Sequence, residues 1–463
     1  MIIYLMFFIL VLSSTAIVFK KDISFAKLTS TLALGLSAIA AVFLMVSAIR
    51  EDGFQALGPL ICVFFTLIGF LIIWSSTSTI DYEIESRRIP IYYSLILLLI
   101  SSLCGIVFFN NILLVFIFIE LSAFLASAIV MIKNAQENYR AGLKYLFLSI
   151  FASAFLLVGG VILYRLAGTL NIQEMILVNS NINLLRYSFI FIFIGVALKS
   201  ALFPFHIWLP DAHGSAPSTS SAILSALVIK GYIIFFIKLI YIGFGIELVK
   251  DLDILPINLV LGACAMIYGS VLAILQKNLK NMIAYSSVAQ IGYIYLGIGL
   301  GTPLGLVASI FHIIAHGITK ACLFLSAGRI ISSTGCKEIK ELNGIGKALP
   351  VTMFLYTICG FSMIGIPLFV GFLSKWNFAQ AAISADNIWL ILVLTVSSLL
   401  NGIYYLPIAI KAFFAEDESK RPKILLEPKG QLPVTILGVL IIITGIVGSP
   451  LIDLLTNIVQ RLI

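Results

Sequence analysis

Hydrophobic residues fall in long blocks along almost the whole chain, separated by short stretches where charged residues, asparagine and glycine collect. A helix needs about 20 consecutive, mainly apolar residues to cross a bilayer. Blocks of that length recur near 1–19, 29–49, 57–77, 91–108, 110–132, 141–165, 187–212, 217–243, 254–275, 279–299, 304–328, 349–375, 387–414 and 433–456. The pattern predicts an all-α polytopic membrane protein with about fourteen transmembrane helices. No small-residue cleavage site followed by a soluble domain comes after the first block, so it reads as a retained helix and not as a signal peptide. The longest polar segments, near 329–348 and 415–432, are too short to fold alone. They alternate charge as surface helices do, as does 166–186, and are candidate contacts for partner subunits.

Loop charge tests the count, because basic residues collect on the cytoplasmic side of a membrane protein. Connections after odd-numbered blocks hold Lys20, Lys21 and Lys27; Arg87 and Arg88; Lys133 and Arg140; Lys277 and Lys280; Lys337, Lys340 and Lys347; and Lys420, Arg421, Lys423 and Lys429. Connections after even-numbered blocks hold few, and Arg50 and Lys250 there stand beside acids. Both termini are therefore expected outside the cell membrane. These loops account for the net charge of +8 without a nucleic-acid partner. Only 11% of residues are charged and mean hydropathy is +1.12, against roughly 25% charged in soluble domains.

Cys62, Cys104, Cys264, Cys322, Cys336 and Cys359 lack the spacing of a zinc or iron–sulfur site. The glycines of 297–301 follow no strand, as a nucleotide loop would, and read as a turn. No metal or cofactor is expected in this chain, which has no visible redox centre.

Chemistry concentrates instead in ionisable residues inside the blocks: Glu120, Lys144, Lys199, Lys230, His312, His316, Lys320 and Lys375. Charge in hydrocarbon is costly and marks function by default. Burial favours the neutral form of a lysine while a nearby carboxylate favours the charged one, so Glu120 can toggle Lys199 between loading and releasing a proton. His312, His316 and Lys320, four residues apart, share a helical face and suit a lateral proton relay. Bland alternatives stand beside these readings. Glu120 and Lys199 also suit a structural ion pair, and the histidines suit interhelical hydrogen bonding. Lys144, Lys320 and Lys411 suit snorkelling. His206, Asp211 and His213 suit capping of a half-helix as well as proton uptake.

Two blocks are interrupted near a lysine, by Pro204 after Lys199 and by Pro367 before Lys375. Proline removes a backbone donor and frees carbonyls for other partners. Interrupted helices in corresponding places of two halves are a signature of transporters built from repeats. Five blocks over 91–243 would match five over 254–414, although direct identity between them is weak.

The run Phe203-Pro204-Phe205-His206-Ile207-Trp208-Leu209-Pro210-Asp211-Ala212-His213, continued by Ala216-Pro217-Ser218 and Ser225 to Tyr232, resembles the signature of antiporter-like membrane subunits. These occur in respiratory complex I, membrane-bound hydrogenases and Mrp-type cation/proton antiporters. Ala284 to Tyr293, His312 to Gly328, and Gly371-Phe372 with Lys375 add to the likeness, which spans about 90–410. It implies fourteen helices with two inverted five-helix repeats containing broken helices. Residues 1–89 would be an N-terminal three-helix segment, 90–245 and 250–415 the repeats, and 416–463 a loop and last helix. It further implies that Glu120 and Lys199 form the input pair, that Lys230, His312 and His316 carry the proton onward, and that it leaves from Lys375. Lys144, His206, His213, Lys320 and Lys411 are further relay candidates. A long lateral helix after the fourteenth span, present in some members, is not expected.

The resulting expectation is a subunit that moves protons, or exchanges protons for sodium, within a redox-driven complex. Homologous and smaller membrane subunits would accompany it, and peripheral electron-transfer subunits would carry flavin, iron–sulfur or nickel–iron centres. A large subunit of an Mrp-type sodium/proton antiporter, with no redox step, is the alternative. A non-transporting scaffold fits poorly with ionisable groups at every relay position.

Overall fold

A computed structural model describes residues 2–52, 56–177, 181–415 and 430–462. In order, the helices are α1 Ile2–Lys20, α2 Ile23–Asp52, α3 Leu57–Ser76, α4 Ile89–Phe108, α5 Ile112–Val130, α6 Gln136–Ala167, α7 Ile182–Lys199, α8 Leu209–Ser215, α9 Ser218–Ile223 and α10 Ile229–Lys238. There follow α11 Ile246–Asp251, α12 Leu255–Ile274, α13 Leu279–Gly299, α14 Pro303–Thr334, α15 Ile345–Ala348, α16 Pro350–Ile364, α17 Val370–Ser384, α18 Trp389–Phe414, α19 Gln431–Ile446 and α20 Ser449–Leu462. A wide π turn, Leu224–Val228, joins α9 to α10. Extended pairing among the described residues is limited to two isolated bridges, Asn111 with Asn171 and Asn278 with Glu338.

Local sequence explains where the helices start and stop. Asn111 accepts from the Leu114 N–H at the head of α5, and Asn278 from those of Lys280 and Asn281 at the head of α13. Such side chains satisfy donors that a helix cannot pair internally. Prolines open α4, α12 and α14, where a missing N–H costs nothing.

Eleven described helical spans are long and apolar enough to cross a membrane, or twelve if α19 and α20, bent by 73°, count as one. The chain is thus an all-α, multi-pass membrane protein. Helix α13 falls outside the eleven because Lys280, Asn281, Ser286, Ser287 and Gln290 dilute its apolar content. The predicted block 349–375 is two helices of 15 residues each, α16 and α17, with α17 reaching Ser384. Block 187–212 likewise ends as a helix at Lys199 and resumes at Leu209. Lys27 and Lys280, assigned above to loops, lie in α2 and α13. Lys420, Arg421, Lys423 and Lys429, with most of the segment 415–432, lie outside the described residues.

Burial separates a lipid-facing shell from an interior. Helices α1 and α2 are only 28% buried over their apolar windows, whereas Ser218–Phe244 and Pro303–Thr334 are 100% buried. Outward residues such as Phe43, Phe147 and Leu399 are large and apolar, which suits a helix surface bathed in lipid. Helix α14 packs against α3, α9, α13, α16, α17, α19 and α20 and forms the central post. Small residues bring helices into backbone contact: a Cβ at Gly262 of α12 would lie 2.7 Å from the Gly292 carbonyl of α13.

Backbone bonds recur at a constant step. The Ile112 N–H donates to the Leu170 carbonyl at 2.8 Å and the Ile172 N–H to that of Asn110 at 2.9 Å. Leu279 donates to Lys337 at 3.0 Å and Ile339 to Lys277 at 2.8 Å, each residue 167 positions beyond its counterpart. Helices α6 and α14 share that step and a length of 32 residues, and each ends at a left-handed glycine, Gly168 or Gly335.

Candidate functional site

Lys199 is the last residue of α7, where a helix C-terminus favours a cation. Its Nζ lies 3.3 Å from Glu120 Oε1 of α5 and donates to Ser149 Oγ of α6 at 2.8 Å. Ser153, one turn along α6, donates its hydroxyl to Glu120. The Lys199 side chain is 1% exposed and that of Glu120 36%. The expected pair is therefore formed, with the amine enclosed and the carboxylate at the chain's lateral surface. The Lys199 amine also lies 5.8 Å from the Tyr232 ring, whose hydroxyl bonds Ser122 at 3.0 Å.

Lys230 stands just past the π turn, which frees the Ser225 carbonyl to accept from its amine. Ser225 Oγ meets Ser287 Oγ at 3.0 Å. On α14, Lys320 donates to the Ile283 carbonyl at 2.8 Å and to Ser286, and Ser286 meets the Tyr405 hydroxyl at 2.9 Å. The His312 and His316 rings are parallel with centroids 5.7 Å apart. His312 Nδ1 bonds Ser374 Oγ at 2.8 Å, and its ring stacks on Tyr293. Neither ring nitrogen of His316 meets a hydrogen-bonding partner among the described residues.

Lys375 completes the series. Its amine donates to the Met363 and Ile364 carbonyls, both at 2.9 Å, and to Ser398 Oγ at 2.8 Å. Those carbonyls are free because α16 stops there: Gly365 has φ +91° and Leu368 φ +79°. A Cβ on Gly365 would sit 2.8 Å from Lys375 Cδ. Gly365→Ala is expected to destabilise the protein by about 1 kcal/mol or more, as alanine does at positive φ, and to displace the Lys375 amine. Thermal inactivation of the purified complex checks the first effect and ion flux the second.

The other expected residues are more scattered. Lys144 pairs with Asp211 at 2.7 Å, both substantially exposed. Lys411 is exposed near the end of α18. His206 is buried against the Phe203 and Tyr268 rings, and His213 is fully buried on Phe324. Pro204 lies between α7 and α8, and Pro367 between α16 and α17.

Two buried lysines escaped the sequence reading. Lys238 donates to the Val107 and Phe109 carbonyls at 3.1 and 2.7 Å, and Lys280 donates to that of Ala216. Lys238 follows Lys230 by eight residues in one apolar run, a spacing that keeps both near one helical face and was visible. Lys280 resembled a loop residue because it opens a helix. All six cysteines are free, and no metal-binding group of three His, Cys, Asp or Glu exists among the described residues.

A lipid-embedded helical bundle with amines, imidazoles and hydroxyls threaded through its interior defines the class: a polytopic membrane protein with a polar core. A family described as the NADH:quinone oxidoreductase/Mrp antiporter transmembrane family matches residues 109–401. NADH-quinone oxidoreductase subunit N of Desulforudis audaxviator is 31% identical over 390 residues, covering 80% of this chain and 76% of that protein. A Na(+)/H(+) antiporter subunit of Alkalihalophilus pseudofirmus is 30% identical over 426 residues, 84% of this chain but 52% of that one. Among solved structures, a chain of an archaeal membrane-bound sulfane sulfur reductase superimposes with TM-score 0.90 at 25% identity, covering 99% of this chain and 97% of that one. A chain of the Mrp complex from Dietzia gives TM-score 0.89 at 21% identity, with coverage of 100% and 97%. The chain belongs to the NADH:quinone oxidoreductase/Mrp antiporter transmembrane family.

Proposed function

We propose that this chain is the ion-translocating membrane subunit of a multi-subunit complex, moving protons, or protons in exchange for sodium, through its buried polar series. The observation that carries this reading is the succession Glu120, Lys199, Lys230, Lys320, His316, His312 and Lys375, each enclosed by the bundle or paired within it. Glu120 and Lys199 receive the proton, Lys230 and the α14 residues pass it across the centre, and Lys375 releases it. Lys238 extends the set.

The scaffold reading is fourteen spans in two inverted five-helix repeats. Counting α7 with α8, α16 with α17 and α19 with α20 as broken spans, and adding α13, brings the total to fourteen. The step of 167 between bridged pairs supports repeats over 90–245 and 250–415, flanked by 1–89 and 416–463. Under the same step Ser149 and Ser153 fall on His316 and Lys320. The two halves thus share a framework while carrying their titratable groups on different helices. Both termini are assigned to the outside from loop charge.

Partners follow from the surface. A carboxylate exposed at 36% within a membrane span is costly against lipid, so the face holding Glu120 is where a homologous or smaller membrane subunit packs. Redox drive is the favoured source of energy. The quinone oxidoreductase relative is covered over 76% of its length, against 52% for the Alkalihalophilus antiporter protein. Peripheral subunits would then hold the flavin, iron–sulfur or nickel–iron centres. The Mrp-type antiporter is the second reading, favoured by the Dietzia superposition. Purification of the intact complex through a tag on this chain decides between them. Co-purifying subunits with iron, nickel or flavin are expected; a metal-free set of membrane subunits would make it a cation/proton antiporter. Absence of ion movement by the reconstituted complex would reject translocation altogether.

A further inference from the structure

The turn between α8 and α9 is gripped from two sides by charged residues with no part in the series above. Lys280 donates to the Ala216 carbonyl, and the Ser218 N–H donates to Glu83 Oε2 at 2.8 Å. Glu83, in the α3–α4 connection, is 9% exposed and lies 3.5 Å from the Lys133 amine of the α5–α6 connection. Its second oxygen, Oε1, is buried without a hydrogen-bonding partner among the described residues. His213 is 0% exposed, and neither of its ring nitrogens has such a partner.

Helix α14 lines these groups up. Lys320, Phe324 and Gly328 follow one another at four-residue intervals and so stack along one face. The His213 ring lies on Phe324 with centroids 4.8 Å apart. A Cβ at Gly328 would lie 2.4 Å from that of Ser218 and 3.8 Å from Glu83 Oε1. Glu83, His213 and Lys320 therefore occupy three successive turns beside one helix, from the Lys133 end of the molecule into its centre. A buried carboxylate oxygen and a buried imidazole, each without a hydrogen-bonding partner among the described residues, are costly unless they serve something.

We infer that Glu83 is the acid that feeds protons to His213, and through it to Lys320, in a branch opening where the α3–α4 and α5–α6 connections meet. The inference rests on the ion-translocation reading. In each cycle a proton leaves the Glu83 carboxyl and reaches a His213 ring nitrogen through an intervening water, and Glu83 is reprotonated from the aqueous side. The imidazolium then gives its proton, again through water, to a neutral Lys320 amine and returns to the neutral ring.

Glu83→Gln keeps an oxygen for the Ser218 N–H and loses the exchangeable proton; His213→Phe keeps a ring on Phe324 and loses the nitrogens. In proteoliposomes holding the intact complex, each is expected to lower proton flux by about tenfold or more. Infrared difference spectra on acidification should contain a protonated-carboxyl band that Glu83→Gln removes. Wild-type flux in either variant, in a preparation where Lys199→Ala is inactive, overturns the branch. No flux in the wild type either overturns the translocation reading and the branch together.

Discussion

Lys199→Ala is expected to cut coupled ion movement by about tenfold or more, equivalent to about 1.4 kcal/mol on the barrier, while the complex still assembles. The substitution takes the amine from Glu120 and Ser149 together. Assembly is expected to survive because the stranded carboxylate retains the Ser153 hydroxyl. Lys199→Arg separates carriage from structure. A guanidinium restores the ion pair but does not lose its proton in a protein, so flux should stay low. Proteoliposome flux with either variant at the wild-type rate would reduce the pair to a strut between α5 and α7.

Lys375→Ala should act on stability and transport together. It removes a donor from the Met363 and Ile364 carbonyls at the end of α16, and a buried acceptor left unpaired costs about 1–3 kcal/mol. Asn401 still donates to Met363 at 3.0 Å, so Ile364 bears most of the loss. A lower thermal inactivation temperature and a loss of flux of about tenfold or more are expected. Lys375→Arg should restore much of the stability and none of the flux. Stability restored together with flux would show that the side chain braces the break without carrying protons.

Much of the polar series was legible because a charge within an apolar block stands out whatever the fold. Glu120, Lys199, Lys230, His312, His316 and Lys375 were found that way. Their companions were not, since Ser149, Ser153, Ser286, Ser374 and Ser398 resemble any helix serine until a neighbouring helix presents an amine or imidazole. Glu83 and Lys280 sit at the edges of blocks, where charge is ordinary, and only the turn they grip distinguishes them. The π turn that frees the Ser225 carbonyl leaves no mark in hydropathy. Direct identity between 91–243 and 254–414 is weak because, at the step of 167 that recurs in backbone bonds and helix ends, side chains at matching positions differ, as Ser149 and His316 do. Fourteen apolar blocks became eleven or twelve spans by length and composition because polar residues and breaks shorten the helices nearest the site.

Among the described residues, no carboxylate lies within 4.0 Å of Lys230, His312, His316, Lys320 or Lys375. The His312 and His316 rings nonetheless lie with centroids 5.7 Å apart, and Lys320 follows His316 by one turn of the same helix. Two like charges 4 Å apart repel by about 4 kcal/mol at an effective dielectric constant of 20. A row of bases without counter-ions has few vacant places: a proton settling on one raises the cost of a proton on the next. On the proposed relay, traffic through such a row would proceed by displacement, each arriving proton evicting the occupant ahead.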